Sequence, residues 1–384
     1  MSLPDDELAD WLRLTSTPGI GDITARKLLS AFGLPGDVLS QSRNALLQVV
    51  SSAQAAALHV QPPRLAETVL RTRKWLATDE QHGDATHHRI VTLGDPEYPA
   101  MLLEMADPPL MLYVMGPPHL ALTQLENSIA MVGSRNPTPQ GELNARDFAR
   151  AFGELGIPVV SGLALGIDGA AHQGALDGFG PHTDRPATVA VVGTGLDRIY
   201  PARHHALAHR ISADGLIVSE FALGTPPLNQ NFPKRNRIIA GLSRGTLVVE
   251  AALQSGSLIT ARLAAEQGRE VFAIPGSIHS PQARGCHALI RQGAKLVESV
   301  APVLEALQPG LQAPQRPPMP AQQALVALEG GLLDRLGFDP VGLDALCART
   351  GQPAAVLQVE LLGLELDGHV ARLPGGLFQR TAQR

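Results

Sequence analysis

The stretch Ile129-Ala-Met-Val-Gly-Ser-Arg135 decides the fold of the central part of this chain. Four apolar residues precede a glycine, which predicts a short buried strand that ends in a tight turn. Gly141 then begins a helical pattern that runs to Leu155, and the next apolar run is Pro158–Ser161. A strand, a crossover helix and a second strand in this order predict a parallel βαβ unit.

The same alternation continues on both sides of this unit. Almost wholly apolar runs are typical of parallel strands that are buried on both faces of a sheet. The predicted strands are Ile90–Leu93, Leu110–Val114, Ile129–Val132, Pro158–Ser161, Thr188–Val192, Leu216–Ser219, Thr246–Val249 and Val271–Ala273. The predicted helices between them are Gly141–Leu155, Gly169–Asp177, Arg203–Ala213 and Thr260–Gln267. The predicted class is α/β, with an extended, doubly wound and mostly parallel sheet.

Composition divides the chain into four parts. The predicted parts are a helical domain (1–80), the sheet domain (81–307), a Pro- and Gln-rich linker (308–323) and a small C-terminal domain (324–384). The N-terminal helices are predicted at Asp6–Leu14, Ile23–Phe32, Arg43–Val50 and Leu65–Ala77. In the C-terminal part, helices within 341–351 and 353–366 and a Gly-centred hairpin at 369–378 predict a winged helix.

Bulk composition argues against several classes of protein. The 384 residues carry a net charge of −5, which disfavours indiscriminate coating of DNA but leaves room for a local basic groove. Cys286 and Cys347 lie far apart, so neither a disulfide framework nor a metal site is indicated. The N-terminus lacks the pattern of a signal peptide, and no apolar run is long enough to span a bilayer. We therefore expect a cytoplasmic protein with no membrane partner.

The stretch that bears most directly on function is NFPKRNRIIAGLS at 231–243, which contains no acidic residue. An aromatic ring and an amide stand there among cations: Phe232, Lys234, Arg235, Asn236, Arg237 and, just beyond, Arg244. This combination suits a flexible polyanion with flat bases, which is single-stranded nucleic acid. The alternative is a helix start whose cations are merely solvated, and this stretch alone does not separate the two.

Glycine turns at consecutive strand ends predict phosphate contacts nearby. Gly133, Ser134 and Arg135 follow one strand, and Ser161 and Gly162 end the next. Parallel strands end at one edge of the sheet, where helix N-termini and bare amides accept anions. Each turn is also compatible with an ordinary strand-to-helix connection. Neither matches the dinucleotide GxGxxG pattern, so no cofactor is expected.

The pair Asp168 and His172 follows the second of these turns. No nucleophile stands nearby in sequence, so a capping or internal structural role is favoured over a catalytic one.

Together these segments resemble the DNA-processing protein A family (DprA, also called Smf). The motifs, in chain order, are GSR (133–135), SGLALGID (161–168), GTGLDRIYP (193–201), SE (219–220), NFPKRNRIIAGLS (231–243), VVEA (248–251) with SGSLITA (255–261), AIPG (273–276) and GCHALIRQGA (285–294). The resemblance implies an extended Rossmann-like fold that binds single-stranded DNA and no nicotinamide cofactor. The DNA-contact positions of the family fall on Gly133, Ser134, Arg135, Ser161, Gly162, Phe232, Lys234, Arg235, Asn236 and Arg237.

The resemblance also implies a biological role. Members act in natural transformation and recombination as homodimers. They protect incoming strands and help to load the RecA recombinase past single-strand-binding protein. The Ala288–Val300 stretch, apolar and lightly charged, is a candidate dimer surface, with an interior helix and strand as the alternative.

The two flanking regions leave their partners open. Thr17–Lys27 resembles a helix-hairpin-helix turn that could meet a phosphate, with Arg26 and Lys27 adding charge, and the resemblance also permits a sterile-alpha-motif-like bundle for protein contact. The nearby acids disfavour direct DNA binding there; they are Asp5, Asp6, Glu7 and Asp10. The second helix of the C-terminal part contains acids and no cation, which favours protein binding or a structural role over duplex reading.

An enzyme is the main alternative function. Nucleotide phosphoribohydrolases of the same superfamily carry a PGGxGT loop near a glutamate. Here Gln254-Ser-Gly-Ser-Leu-Ile-Thr260 follows Glu250 and replaces the second glycine. We therefore predict no enzymatic activity, and a capping or pairing role for Glu250 at the sheet edge.

Overall fold

A nine-stranded sheet is the centre of the described chain. The computed structural model describes residues 4–77, 86–180, 184–307 and 331–381, so the predicted linker 308–323 lies outside the described residues. The strands are β1 (His87–Thr92), β2 (Met111–Gly116), β3 (Ile129–Val132), β4 (Val159–Ser161), β5 (Thr188–Val191), β6 (Leu216–Ser219), β7 (Gly245–Val248), β8 (Glu270–Ala273) and β9 (Lys295–Leu296). All eight predicted strands are confirmed, and the two-residue β9 was not predicted.

The strand order is β1-β2-β6-β5-β4-β3-β7-β8-β9. The pairs β1–β2 and β2–β6 are antiparallel. The other seven strands, β3 to β9, run parallel to one another. From β3 the chain builds outward through β4, β5 and β6, then returns to β7 on the other side of β3. The order therefore reverses between β3 and β7, and in such sheets ligands bind at the carboxyl ends of the strands at the reversal.

Helices cover both faces of this sheet. Their numbers start at α7 because six helices, α1 to α6, precede them in the chain. They are α7 (Ala100–Leu103), α8 (Pro139–Glu154), α9 (Ile167–Gly178), α10 (His205–Asp214), α11 (Asn231–Gly241), α12 (Ser257–Glu266), α13 (Arg284–Arg291) and α14 (Val300–Leu307). Successive side chains of a strand point to opposite faces. Accordingly Met131 joins the core with Phe152 of α8, while Val132 joins the core with Ile239 of α11.

Residues 4–77 form helices that pack on one end of the sheet. They are α1 (Asp5–Ser16), α2 (Asp22–Phe32), α3 (Pro35–Ser40), α4 (Arg43–Leu46), α5 (Ser52–His59) and α6 (Leu65–Leu76). Trp75 stacks on His88 with ring centroids 4.3 Å apart and meets Tyr113 edge-on at 5.8 Å. The N-terminal helices therefore share a hydrophobic core with β1 and β2.

Two short N-terminal helices, α3 and α5, were not predicted, and α4 ends sooner than predicted. A local signal for α5 exists: the Ser51 hydroxyl accepts from the Gln54 amide while the Gln54 side chain accepts from the Ser51 amide. This capping box fixes the start of a helix that hydrophobic periodicity alone does not mark.

The C-terminal unit has its own core. It contains α15 (Leu332–Leu336), β10 (Val341–Gly342), α16 (Leu343–Thr350), α17 (Ala354–Leu366), β11 (Val370–Leu373) and β12 (Leu377–Arg380), with strand order β10-β12-β11. Leu346, Leu357 and Phe378 pack together in that core. Across the described ranges, no helix combines the length and apolar character that a bilayer span requires.

Candidate nucleic-acid interface

A cavity of about 520 Å³ lies at the point where the strand order reverses. Its walls come mainly from the turn after β3 (132–136), from α11 and the residues before it (229–239), and from the segment that leads into α12 (252–260). We call this cavity the switch-point groove. Most of the segments that the sequence singled out thus meet in one place.

The turn after β3 is rigid and presents Arg135 at the groove. The Ser134 amide donates to the Glu250 carbonyl at 2.8 Å, and the Ser134 hydroxyl accepts from the Asn136 amide at 3.1 Å. A Cβ on Gly133 would lie 2.7 Å from Cγ1 of Ile167, so the close packing here requires glycine. The Arg135 side chain is exposed, and its guanidinium carbon lies 5.5 Å from the centroid of the Phe232 ring.

Arg235 lies beneath the groove rather than projecting from it. It is 4% exposed, and its Nη1 donates to the carbonyl of Gly162 at 2.6 Å and to that of Val191. Burial lowers the pKa of Arg235 to about 10, so the side chain stays charged at neutral pH. A Cβ on Gly162 would lie 2.5 Å from that Nη1, which explains the glycine. The expectation of a free cation at Arg235 is therefore wrong, because the guanidinium already ties two strand ends together.

The predicted anion site at the end of β4 is already filled from within. The Ser161 hydroxyl is buried and donates to the Met131 carbonyl at 2.6 Å. The amides of Gly162 and Ala164 donate to Oδ2 of Asp168 at 3.1 and 3.3 Å. An internal carboxylate thus takes the place that the sequence assigned to a phosphate, and Ser161 braces neighbouring strands.

His172 and Glu250 have the structural roles that the sequence favoured. Nδ1 of His172 lies 2.7 Å from the Thr188 hydroxyl and not against Asp168, and burial lowers the pKa of His172 to about 3. The Glu250 carboxylate accepts from both the amide and the hydroxyl of Thr138, at 2.9 and 2.6 Å.

Lys234 and Arg237 belong to an ion-pair network on the other side of α11. Nζ of Lys234 lies 2.7 Å from Oδ2 of Asp22 and 3.5 Å from Oε2 of Glu220. The Arg237 side chain is 9% exposed and pairs with Glu220 and with Asp107, the latter at 3.6 Å. Carboxylates from three distant segments pair with these two cations, which argues against direct phosphate contacts. The phosphate contact at Lys234, whose side chain is 41% exposed, stays a prediction.

The titration behaviour of the network follows from its burial. Burial raises the pKa of Glu220, against the lowering effect of Arg237 and Lys234. Burial disfavours the charged form of Lys234, but the carboxylates of Glu220 and Asp22 outweigh it and raise its pKa.

The same network joins the N-terminal helices to the sheet. Nη2 of Arg26 lies 3.0 Å from Oδ1 of Asp107, and its Nη1 donates to the Ala106 carbonyl at 2.8 Å. Asp22 and Arg26, at the start of α2, therefore face the sheet unit. The charge that the sequence offered at Arg26 for DNA is instead used within the chain.

Arg244 lies away from the groove. Its Nη1 donates to the Leu307 carbonyl at 3.2 Å, and it lines a separate cavity of about 630 Å³ with residues of α7 and α14. It therefore does not extend the cation row of α11.

Two features at or beside the groove were not among the predicted contact residues. Tyr200 is 45% exposed, and its ring centroid lies 5.8 Å from that of Phe232. It borders a second cavity of about 100 Å³, which Arg135, Phe232 and Arg235 also line. The start of α12 lines the groove at Ser255, Gly256 and Ser257, where the Ser257 amide donates to the Ser255 hydroxyl at 3.4 Å. The motifs GTGLDRIYP and SGSLITA contain these residues, but only folding brings them beside Phe232.

Two family descriptions match the chain. DNA recombination-mediator protein A matches residues 89–308, and the DprA winged helix domain matches residues 316–376. Protein Smf of Escherichia coli K12 is 45% identical over 296 residues, which cover 76% of this chain and 77% of that protein. DNA processing protein DprA of Streptococcus pneumoniae R6 is 47% identical over 210 residues, which cover 55% of this chain and 71% of that protein.

Solved structures agree with these matches. DNA processing protein A of Streptococcus pneumoniae superposes with a TM-score of 0.62 and 34% identity, over 80% of this chain and 99% of that chain. DNA processing protein A of Helicobacter pylori, whose structure describes a single-stranded DNA binding mode, superposes with a TM-score of 0.50 and 29% identity, over 57% of this chain and 95% of that chain. With a Rossmann-like sheet, a C-terminal winged helix and these matches over most of its length, the chain belongs to the DprA/Smf family.

Proposed function

We propose that this protein binds single-stranded DNA in the switch-point groove and acts without catalysis. The observation that carries the proposal is the exposed Arg135 guanidinium 5.5 Å from the Phe232 ring, at the rim of a cavity of about 520 Å³. A cation for a phosphate and a ring for a base stand side by side there, as single-strand binding requires. The single-stranded DNA binding mode of the Helicobacter pylori relative supports the same assignment.

Within the groove, the proposed direct contacts are Gly133, Ser134, Arg135, Phe232 and Asn236. Arg135 would hold one phosphate by a charge-assisted hydrogen bond. Phe232 and Tyr200 would stack on bases, which all bases permit, so sequence preference should be weak.

The remaining predicted contact residues are assigned a supporting role. Arg235, Gly162 and Ser161 hold the strand ends in register beneath the groove, through bonds to the Gly162, Val191 and Met131 carbonyls. Lys234 and Arg237 both reach Asp22 of α2, at 2.7 and 3.9 Å, and so link the N-terminal helices to α11. These residues would shape the groove without touching DNA.

Family membership is the basis for a proposed cellular role. We propose that the protein acts in the cytoplasm in natural transformation and recombination, protects incoming single strands, and helps to load RecA past single-strand-binding protein. We also propose that it works as a homodimer through the 288–300 surface. Faster RecA filament formation on protein-coated DNA, and a dimer in sedimentation at micromolar concentration, are the expected results. Unchanged RecA kinetics, or a monomer throughout, would remove the respective part.

The test of DNA binding compares two arginines. Arg135→Ala should weaken binding of labelled oligothymidine about 10- to 100-fold in fluorescence anisotropy, as expected for loss of a hydrogen bond to a charged group. Arg262→Ala is the matched control, because Arg262 is exposed on α12 and pairs with Glu266 at 3.6 Å, outside the groove. Equal affinity of the two variants would overturn the groove assignment. Release of free base from AMP would overturn the non-enzymatic part.

A further inference from the structure

Helix α17 of the C-terminal unit exposes an apolar stripe. Val356, Val359, Leu362 and Leu366 are 46%, 72%, 57% and 80% exposed. With 3.6 residues per turn, these four side chains occupy roughly a third of the circumference of the helix. Such a contiguous exposed set, unlike single surface leucines, marks a surface that another molecule covers. We call these four residues the α17 stripe.

The opposite face of α17 is anchored in the core. Leu357 and Leu361 are 0% and 1% exposed and pack with Leu346 and Phe378. The stripe is therefore presented by a helix whose position is already fixed. Binding a partner on a fixed helix does not require the helix itself to be ordered first.

Charge around the stripe selects the kind of partner. The helix Ala354–Leu366 contains no lysine, arginine or histidine. Glu360 lies on one flank of the stripe, Glu365 on the other, and Asp367 follows at the end. A phosphate backbone would be repelled there. A second copy of the stripe would place acids against acids.

We propose that the α17 stripe docks an amphipathic helix of another protein, one whose apolar face is flanked by lysine or arginine. Apolar side chains at helical spacing meet a partner helix through positions three and four apart. Flanking opposite charges add orientation and specificity. Within this chain, residues 308–330 offer only Arg316 and Glu329 as charged groups, so their charge does not match the acidic flanks.

The test uses the full-length protein and two synthetic helical peptides. Both peptides carry leucines at the same helical positions, one with lysine flanks and one with glutamate flanks. In fluorescence anisotropy, the lysine-flanked peptide should bind at least tenfold more tightly. Val359→Glu should weaken that binding at least tenfold. Glu360→Lys should reduce the ratio of the affinities for the lysine-flanked and the glutamate-flanked peptide. Leu70→Glu is the matched control, because Leu70 is a 70% exposed leucine on α6.

Several outcomes would overturn the proposal. These are failure of the lysine-flanked peptide to bind, equal binding of both peptides, and Val359→Glu behaving like Leu70→Glu. Circular dichroism of each variant confirms that the fold is intact, which an exposed substitution on an anchored helix should leave unchanged. If Val359→Glu turns a dimer into a monomer in sedimentation, a second copy is the occupant. If it abolishes duplex DNA binding, the occupant is DNA. Either result would replace the protein helix as the ligand.

Discussion

The turn after β3 and the helix α11 both carry arginine near the carboxyl edge of the sheet, yet they use it differently. Arg135 on the turn is exposed, and among the residues that the structure describes no carboxylate lies within ion-pairing distance of it. Arg237 on α11 is 9% exposed and is held by Glu220 and Asp107. One cation is available to a ligand. The other is paired within the sheet domain and also lies 3.9 Å from Asp22 of α2 in the N-terminal helices.

A stretch of sequence rich in cations therefore need not form a positively charged surface. The sequence 231–243 contains no acid, but Asp22, Asp107 and Glu220 reach its cations from three other segments. Phe232, on the groove side of the same helix, lines the cavity and is the proposed stacking ring. We call this side of α11 the binding face and the side with Lys234 and Arg237 the assembly face.

The largest expected effect is on the assembly face. Arg237→Met should lower the free energy of unfolding by about 3–5 kcal/mol, because it leaves the buried Glu220 carboxylate without its main partner. Urea denaturation followed by circular dichroism measures this loss.

The double variant Arg237→Met with Glu220→Gln distinguishes loss of the ion pair from loss of side-chain packing. It should recover much of the stability, since the uncompensated charge is removed. A loss below about 1 kcal/mol for Arg237→Met would mean that the pair is solvated. The cations of the assembly face would then be as accessible to solvent as Arg135, and the two faces would not differ.

A smaller effect is expected on the binding face. Phe232→Leu keeps an apolar side chain against Gly193 but removes the stacking surface. Oligothymidine affinity should fall by about 1–3 kcal/mol, or about 5- to 150-fold, in fluorescence anisotropy. Phe221→Leu is the matched control, since Phe221 lies 5.7 Å from the Lys234 ammonium on the assembly face. If the control weakened binding as much as Phe232→Leu, the two faces would not be distinct.

The smallest effect is expected at Asp22 of α2, which pairs with Lys234 of the assembly face. Asp22→Asn removes the carboxylate 2.7 Å from Lys234, whose side chain is 41% exposed. A partly exposed pair contributes about 0–1 kcal/mol, so stability should fall little and oligothymidine affinity should rise less than about fivefold. Glu67→Gln, which breaks the exposed pair with Arg71, serves as the control. A tenfold or larger rise for Asp22→Asn would reveal Lys234 as a DNA contact that Asp22 restrains.

Much of the fold could be predicted from local patterns. The buried strands around Gly133 are continuous apolar runs between glycine turns, and parallel pairing places their ends together. The Gly133–Arg135 turn could be assigned to the groove for the same reason. Helix α5 and strand β9 escaped because short elements have too few residues for a periodic pattern.

The partners of the cations could not be predicted in the same way. Nothing in the sequence near Lys234 or Arg235 indicates Asp22 or the Val191 carbonyl as a partner. Ion pairs and buried hydrogen bonds between distant segments depend on tertiary packing, which residue spacing does not encode. The sequence therefore indicated which segments meet at the groove but not which of their cations are paired within the chain.

The salt dependence of oligothymidine binding distinguishes a phosphate contact at Arg135 from one at Lys234. Each phosphate neutralised contributes about 0.7 to the slope of log affinity against log salt concentration for single strands. We predict that Arg135→Ala reduces the slope by about 0.7 and that Lys234→Ala leaves it unchanged, since Lys234 is paired with Asp22 and Glu220. A slope that falls by about 0.7 in Lys234→Ala and stays unchanged in Arg135→Ala would contradict the account.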